Sequence, residues 1–123
     1  MTGAEAALQA YEERINRHDF DLLVELIAPD AVFWFSDGSH KGNAEIRAAF
    51  EKTWAMLAND TYWLTDLAWV ARGEDAAACI YSFNWKTVID GEPQSGSGRG
   101  TTALARRTAG WQIVHKHLSR NPA

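Results

Sequence analysis

The chain has 123 residues, enough for one domain with a single core and too few for two. Hydrophobic residues make up 46% of it and charged residues 23%, with six tryptophans, which excludes a disordered tail. The net charge of −4 argues against nucleic-acid binding, and no apolar run approaches the roughly 18 to 20 residues that span a bilayer. The start, MTGAEAALQAYEER, lacks the basic and apolar regions of a signal peptide. Neither a membrane nor a nucleic-acid partner is expected, and the cytoplasm is the expected location.

Ala4, Ala7, Leu8, Tyr11 and Ile15 fall at helical spacing, so the chain opens with an amphipathic helix that ends near His18. Asp19 can cap a second short helix with Phe20, Leu23, Val24 and Ile27 on its apolar face, stopped by Pro29. DAVFWFSDG reads as an aromatic-rich strand running into an Asp-Gly turn. Asn43 caps a third helix, with Ile46, Ala49, Phe50, Trp54 and Leu57 on one stripe. From Thr61 onward the pattern turns to β-rich runs: TYWLTDLAWVA, AAACIYSFNWKTVI, GTTALARR and WQIVHKHLS. Turn chemistry at Gly73-Glu74-Asp75, Asp90-Gly91-Glu92-Pro93 and Thr108-Ala109-Gly110 separates them as an antiparallel meander. GSGRG, Gly96 to Gly100, precedes a strand rather than a helix, so it reads as a hairpin connection and not a phosphate loop. No cofactor is expected. The order predicts an α+β domain over residues 1–123, three N-terminal helices packed on one face of a curved antiparallel sheet.

Strand periodicity separates two faces. Ile80, Ser82, Asn84 and Lys86 share one, and Tyr81, Phe83 and Trp85 the other. In the last strand Trp111, Ile113, His115 and His117 alternate with Gln112, Val114, Lys116 and Leu118. With the helices over the Asn84 and Val114 side, Tyr81, Phe83, Trp85, Trp111 and Ile113 are left as an exposed apolar face. A monomer rarely leaves that much uncovered, so a homodimer through this face is expected.

The acids all lie at or before Glu92, while Arg99, Arg106, Arg107, Lys116 and Arg120 follow. These cations either bind an anion or face solvent and the acidic helices. Cys79, the only cysteine, has no partner for a disulfide or a zinc site and reads as a buried thiol. His115 and His117 stand two apart on one strand face and form an alternative site. A metal would need a third ligand that TTALARR does not supply, so they are assigned with Trp111 and Ile113 to the sheet seam or dimer contact, and no metal is expected. Trp34, Trp54 and Trp63 can wall an apolar cavity, with Leu118 beside them on the helix-covered side. Asn84 and Thr102 are polar groups on a buried face and so candidate anchors for a ligand. Asp37, in a turn, and Asp66, within a strand, are the candidate bases considered.

NRHDFDLLVELIAPDAVF, KGNAEIRAAFE and GRGTTALARRTAGWQIVHKHLS together resemble the SnoaL-like branch of the nuclear transport factor 2-like (NTF2-like) superfamily, over nearly the whole chain. WQIVHKHLS, ACIY and HDFD also resemble the association domain of calcium/calmodulin-dependent protein kinase II. The resemblance implies a cone-shaped, cystatin-like fold with a pocket between helices and sheet. By the same likeness Tyr11 stands where steroid isomerases keep an oxyanion-binding tyrosine, and Phe35 where they carry a carboxylate base. An aromatic ring cannot abstract a proton, so the base is missing. Two functions follow as expectations: a small, largely apolar ligand in the cone, with isomerase, cyclase or dehydratase chemistry, or a non-catalytic assembly module.

Overall fold

The computed structural model describes residues 3–122. Helix α1 (Gly3–Ile15) buries Ala4, Ala7, Leu8, Tyr11 and Ile15, the stripe that its periodicity predicts. Its polar side is used to dress a sheet edge. Asn16 exchanges two hydrogen bonds with Tyr62, its Nδ2 donating to the carbonyl at 2.9 Å and its Oδ1 accepting the N–H at 2.8 Å. Glu12 Oε1 accepts the Leu64 N–H at 3.1 Å. Glu12 of α1 and Asn16 just beyond its end therefore satisfy backbone groups that an edge strand would otherwise leave open.

The second of the three expected helices does not form. Residues 20–26 make two single 3-10 turns, Phe20–Leu22 and Val24–Leu26, and the chain enters strand β1 (Ile27–Phe35) directly. Asp19 does cap the first turn, accepting the Asp21 N–H at 3.1 Å. Ile27 is already paired with Ile113, so too few residues remain to propagate an α-helix beyond its costly nucleus. Pro29 lies inside β1, where the pairing register shifts between Ile27 and Val32, a position that tolerates a residue without an N–H. The next strand, β2 (Gly38–Lys41), closes a hairpin with β1, and Gly42 at φ +81 turns the chain into helix α2 (Gly42–Met56). Ile46, Phe50 and Trp54 are its buried stripe. Asn43 is not the cap; Lys41 occupies that place, and its N–H donates to Glu45 Oε1 at 2.8 Å.

Strands β3 (Thr61–Arg72), β4 (Ala76–Ile89), β5 (Glu92–Arg107) and β6 (Gly110–Arg120) form the predicted meander. The six-stranded sheet runs β2-β1-β6-β5-β4-β3, with β1 parallel to β6 and the other pairs antiparallel. The Gly-rich stretch is not a connection. Ile89 pairs with Glu92 across Asp90 and Gly91, both at positive φ, a two-residue hairpin turn, and Gly96 to Gly100 lie within β5. Gly96, Gly98 and Gly100 stand opposite Trp85, Phe83 and Tyr81. A Cβ on each would meet the facing ring at 2.5, 2.4 and 2.4 Å. The alternate glycines let three rings lie flat across the neighbouring strand.

That arrangement inverts the expected faces. Tyr81 and Ile113 are buried within the single chain, Phe83 packs on Leu8 and Cys79 in the core, and Trp111 closes over Gly3 at the start of α1. Ile80, Ser82 and Asn84 point away from the helices, and Ile80 is 45% exposed. In β6 the alternation also changes phase. Leu104 pairs with Ile113 but Ala103 pairs with His115, so Val114 is an extra residue. Before this bulge Trp111 and Ile113 face the core; after it Lys116 and Leu118 do, and His115 and His117 are turned outward.

Candidate functional site

A cavity of about 220 Å³ opens between the two helices and the inner face of the sheet. α1 contributes Tyr11, β1 Phe35, α2 Phe50 and Trp54, β4 Trp85 and β6 Leu118, giving walls that are almost wholly aromatic or aliphatic. Lys116 marks the deep end, buried to 1% exposure. Its Nζ donates to Tyr81 Oη at 2.9 Å and to Thr102 Oγ1 at 3.0 Å, and those hydroxyls are 2.7 Å apart. The ammonium also lies 4.7 Å from the Tyr11 ring centroid and 5.2 Å from that of Tyr81, a cation held by π-faces and hydroxyls. None of the ion pairs among the described residues includes it.

The more exposed part of the lining carries His18 and Asp60, and Tyr62 connects it to Tyr11 and Tyr81. His18 adopts φ 54, stacks on Trp54 with ring centroids 5.2 Å apart, and donates from Nε2 to the Asp60 carbonyl at 3.0 Å. Asp60 Oδ1 and the Tyr62 hydroxyl are buried and without a hydrogen-bond partner among the described residues. Burial pushes the Asp60 carboxyl above the usual carboxylate range, with His18 opposing in part. Burial, reinforced by the neighbouring Tyr81 and other groups, raises the phenols of Tyr11 and Tyr62 well above their ordinary value, so both remain protonated donors.

The sequence-derived candidates divide between the two sides of the sheet. Tyr11, Phe35, Trp54 and Leu118 line the cavity, and Thr102 lies beneath it, reaching it through Lys116. Trp34, Trp63 and Asn84 do not. Trp34 is 45% exposed on the outer face, where its ring meets those of His115 and His117 edge-on at 4.9 and 5.5 Å. Trp63 lies under the Lys86 ammonium at 6.0 Å, and Asn84 donates to the Trp63 carbonyl and to Thr65 Oγ1 on the neighbouring strand. His115 donates from Nδ1 to the Val32 carbonyl at 2.7 Å. Among the described residues no three His, Cys, Asp or Glu groups are placed to hold a metal ion. Asp37 is exposed in the β1–β2 turn, and Asp66, at φ 55, sits in a bulge of β3. Cys79 is buried, and burial pushes its thiol up, which keeps it unreactive.

Sequence reasoning passed over Asp60 and His18, counted Lys116 only among five C-terminal cations, and placed Tyr81 on the outer face. One signal was available for Lys116: in the alternation of the last strand it is a cation standing between the apolar Val114 and Leu118. The basic C-terminal residues resolve differently, since Arg106 pairs with Asp75 and Arg107 with Asp30 on the surface.

No helix among the described residues is long and apolar enough to cross a membrane. No curated protein sequence matches the chain significantly. Among solved structures, an NTF2-like superfamily protein from Salmonella enterica matches with a TM-score of 0.85 at 24% identity, covering 96% of this chain and 88% of its own. A Streptomyces avermitilis protein, described as a candidate dehydratase from the NTF2-like family, matches at 0.83 and 19% identity, over 97% of this chain and 94% of its own. A Xanthomonas campestris protein, described as a candidate calcium/calmodulin-dependent protein kinase II association domain, matches at 0.82 and 17% identity, over 96% and 85%. These likenesses establish the NTF2-like, cystatin-like fold. The family model of the SnoaL-like domain matches residues 4–123, and the chain belongs to that family.

Proposed function

We propose that the protein binds a small, planar, largely apolar molecule in the cone cavity and acts on it without a cofactor, by isomerisation, cyclisation or dehydration of a carbonyl compound. The observation that carries this reading is the polarity of the cavity: aromatic walls with a single donor cluster, Lys116–Tyr81–Thr102, at the deep end. Such a cavity buries a ring system and fixes its direction by one oxygen. A carbonyl oxygen beside Lys116 is stabilised as negative charge develops on it, by a donor already in place. Asp60 in the more exposed part of the lining supplies the group able to take or return a proton, the role left empty by Phe35. Tyr11, kept protonated, contributes its ring to hold the ammonium and its phenol as a further donor.

Native mass spectrometry of freshly purified protein, followed by denaturing release of anything bound, tests the reading. One small conjugated molecule per cavity is expected. Protein that stays empty after exposure to a library of one- and two-ring carbonyl compounds counts against it.

A second reading rests on the other side of the sheet. Trp34 and Ile80 are each 45% exposed there with no helix over them. We propose that a second copy covers this outer face, a homodimer through Trp34, Ile80 and His117 in place of the aromatics that the core has absorbed. The likeness to the kinase-association fold supports assembly as a role. Trp34→Lys then dissociates the oligomer in sedimentation velocity; an unchanged sedimentation coefficient removes this face from the assembly.

A further inference from the structure

Lys116 is a buried cation in a largely apolar cavity, and among the described residues no carboxylate forms an ion pair with it. Buried charges in folded proteins are paired, because desolvation of an unpaired one is costly. Two of its three protons are taken by Tyr81 and Thr102, and those are neutral hydroxyls that cannot balance the charge. Tyr11 and Tyr81 offer only the partial negative charge of their π-faces. One N–H and one full positive charge are therefore left for whatever occupies the cavity.

Resting on the ligand-binding reading above, we propose that the cavity is specific for planar aromatic or conjugated acids, whose carboxylate or enolate oxygen forms an ion pair with Lys116. The shape argument and the charge argument agree. Phe35, Phe50, Trp54 and Trp85 provide faces for a flat ring system, and Leu118 closes the wall beside Lys116. The acid in the lining, Asp60, forms no ion pair with Lys116 and has His18 next to it, so it does not neutralise the ammonium. The hydroxyl pair fixes the ammonium: Tyr81 stands on β4, Thr102 on β5 and Lys116 on β6, three adjacent strands whose register aligns them. A neutral ligand of the same shape leaves the cation unpaired and gains only its apolar contacts.

The test uses three ligands of one ring system and different charge: 2-naphthoate, 2-naphthamide and 2-naphthylmethylammonium, each titrated calorimetrically into the full-length protein. Binding of the carboxylate at least tenfold tighter than the isosteric amide, with the ammonium weakest, is expected. In Lys116→Met the preference falls to parity while the amide still binds. The wild-type series decides by itself should that variant fail to fold. Amide and carboxylate binding equally well to the wild-type protein overturns the acid specificity and leaves the ligand cavity standing. Retention of the carboxylate preference in Lys116→Met overturns the assignment to that lysine. Failure of all three to bind overturns the cavity as a ligand site, and the acid specificity with it.

Discussion

The two faces of the sheet are built from the same strands, one residue apart, and they differ in almost every property. On β4 the inward series Cys79, Tyr81, Phe83 and Trp85 meets glycines, helices and the cavity, whereas the outward series Ile80, Ser82 and Asn84 meets other strand side chains and solvent. The inner face holds one buried cation among rings; the outer face holds histidines hydrogen-bonded or in ring contact with Trp34. The difference teaches where specificity resides. Large rings are packed where backbone space was cleared for them, and the polar group among them is placed by strand register rather than by a loop.

The largest expected break of this contrast comes from neighbours on β1. Phe33 is fully buried and packs edge-on against Phe35 and Phe50, so Phe33→Ala should cost about 3–5 kcal/mol in urea denaturation. Trp34→Ala, one residue on, should cost about 1 kcal/mol at most when measured at a dilution where self-association does not contribute. Equal costs would mean that the two faces are not distinct in energy. A smaller break is Gly98→Ala. Its new Cβ meets the Phe83 ring at 2.4 Å and the Ser119 carbonyl oxygen at 2.3 Å, so a loss of about 1–3 kcal/mol is expected. Arg99→Ala beside it points outward and should stay within about 0.5 kcal/mol of wild type. A neutral Gly98→Ala would show that the rings can lift off the strand.

The smallest effect sharpens the comparison by pH. Asp60 is raised in the folded chain by burial, so its charged form destabilises the native state. Above the folded pKa that penalty is fully present; it disappears as pH falls through the folded value to below the ordinary carboxylate pKa of about 3.9. Asp60→Asn should therefore melt higher than wild type at neutral pH, with the gain fading in acid. A gain that is constant across that range would place the cause elsewhere than in ionisation of Asp60.

Local spacing was enough for several elements. The stripes Ala4-Ala7-Leu8-Tyr11-Ile15 and Ile46-Phe50-Trp54 give α1 and α2, and the turn residues separate β3 to β6, because helix period and turn chemistry act over a few residues. The family likeness was carried by motifs spread along nearly the whole chain, and it too was legible. Of the site, Tyr11 and Phe35 came through the family likeness, Trp54 and Leu118 from the aromatic excess and the strand alternation, and Thr102 as a polar group expected on the inner face.

The sequence by itself determined the α+β class, the two α-helices, the strand run and an aromatic excess in search of a cavity. Only the tertiary structure decided which face was inside. Alternation in a strand is symmetric: Tyr81-Phe83-Trp85 and Ile80-Ser82-Asn84 are equally good stripes until a neighbour selects one. The selecting neighbours, Gly96, Gly98 and Gly100, stand across a hairpin, and glycine spacing has meaning as space only once the register is known. The extra residue Val114 reverses phase midway along β6, so Ile113 and Lys116 share a face that a strict period of two would deny them. The helix expected after Asp19 yielded to the pairing of Ile27 with Ile113, a contact between residues far apart in the chain. Lys116 became a candidate binding group for the same reason: long-range pairing, not local propensity, carried a lysine into the core.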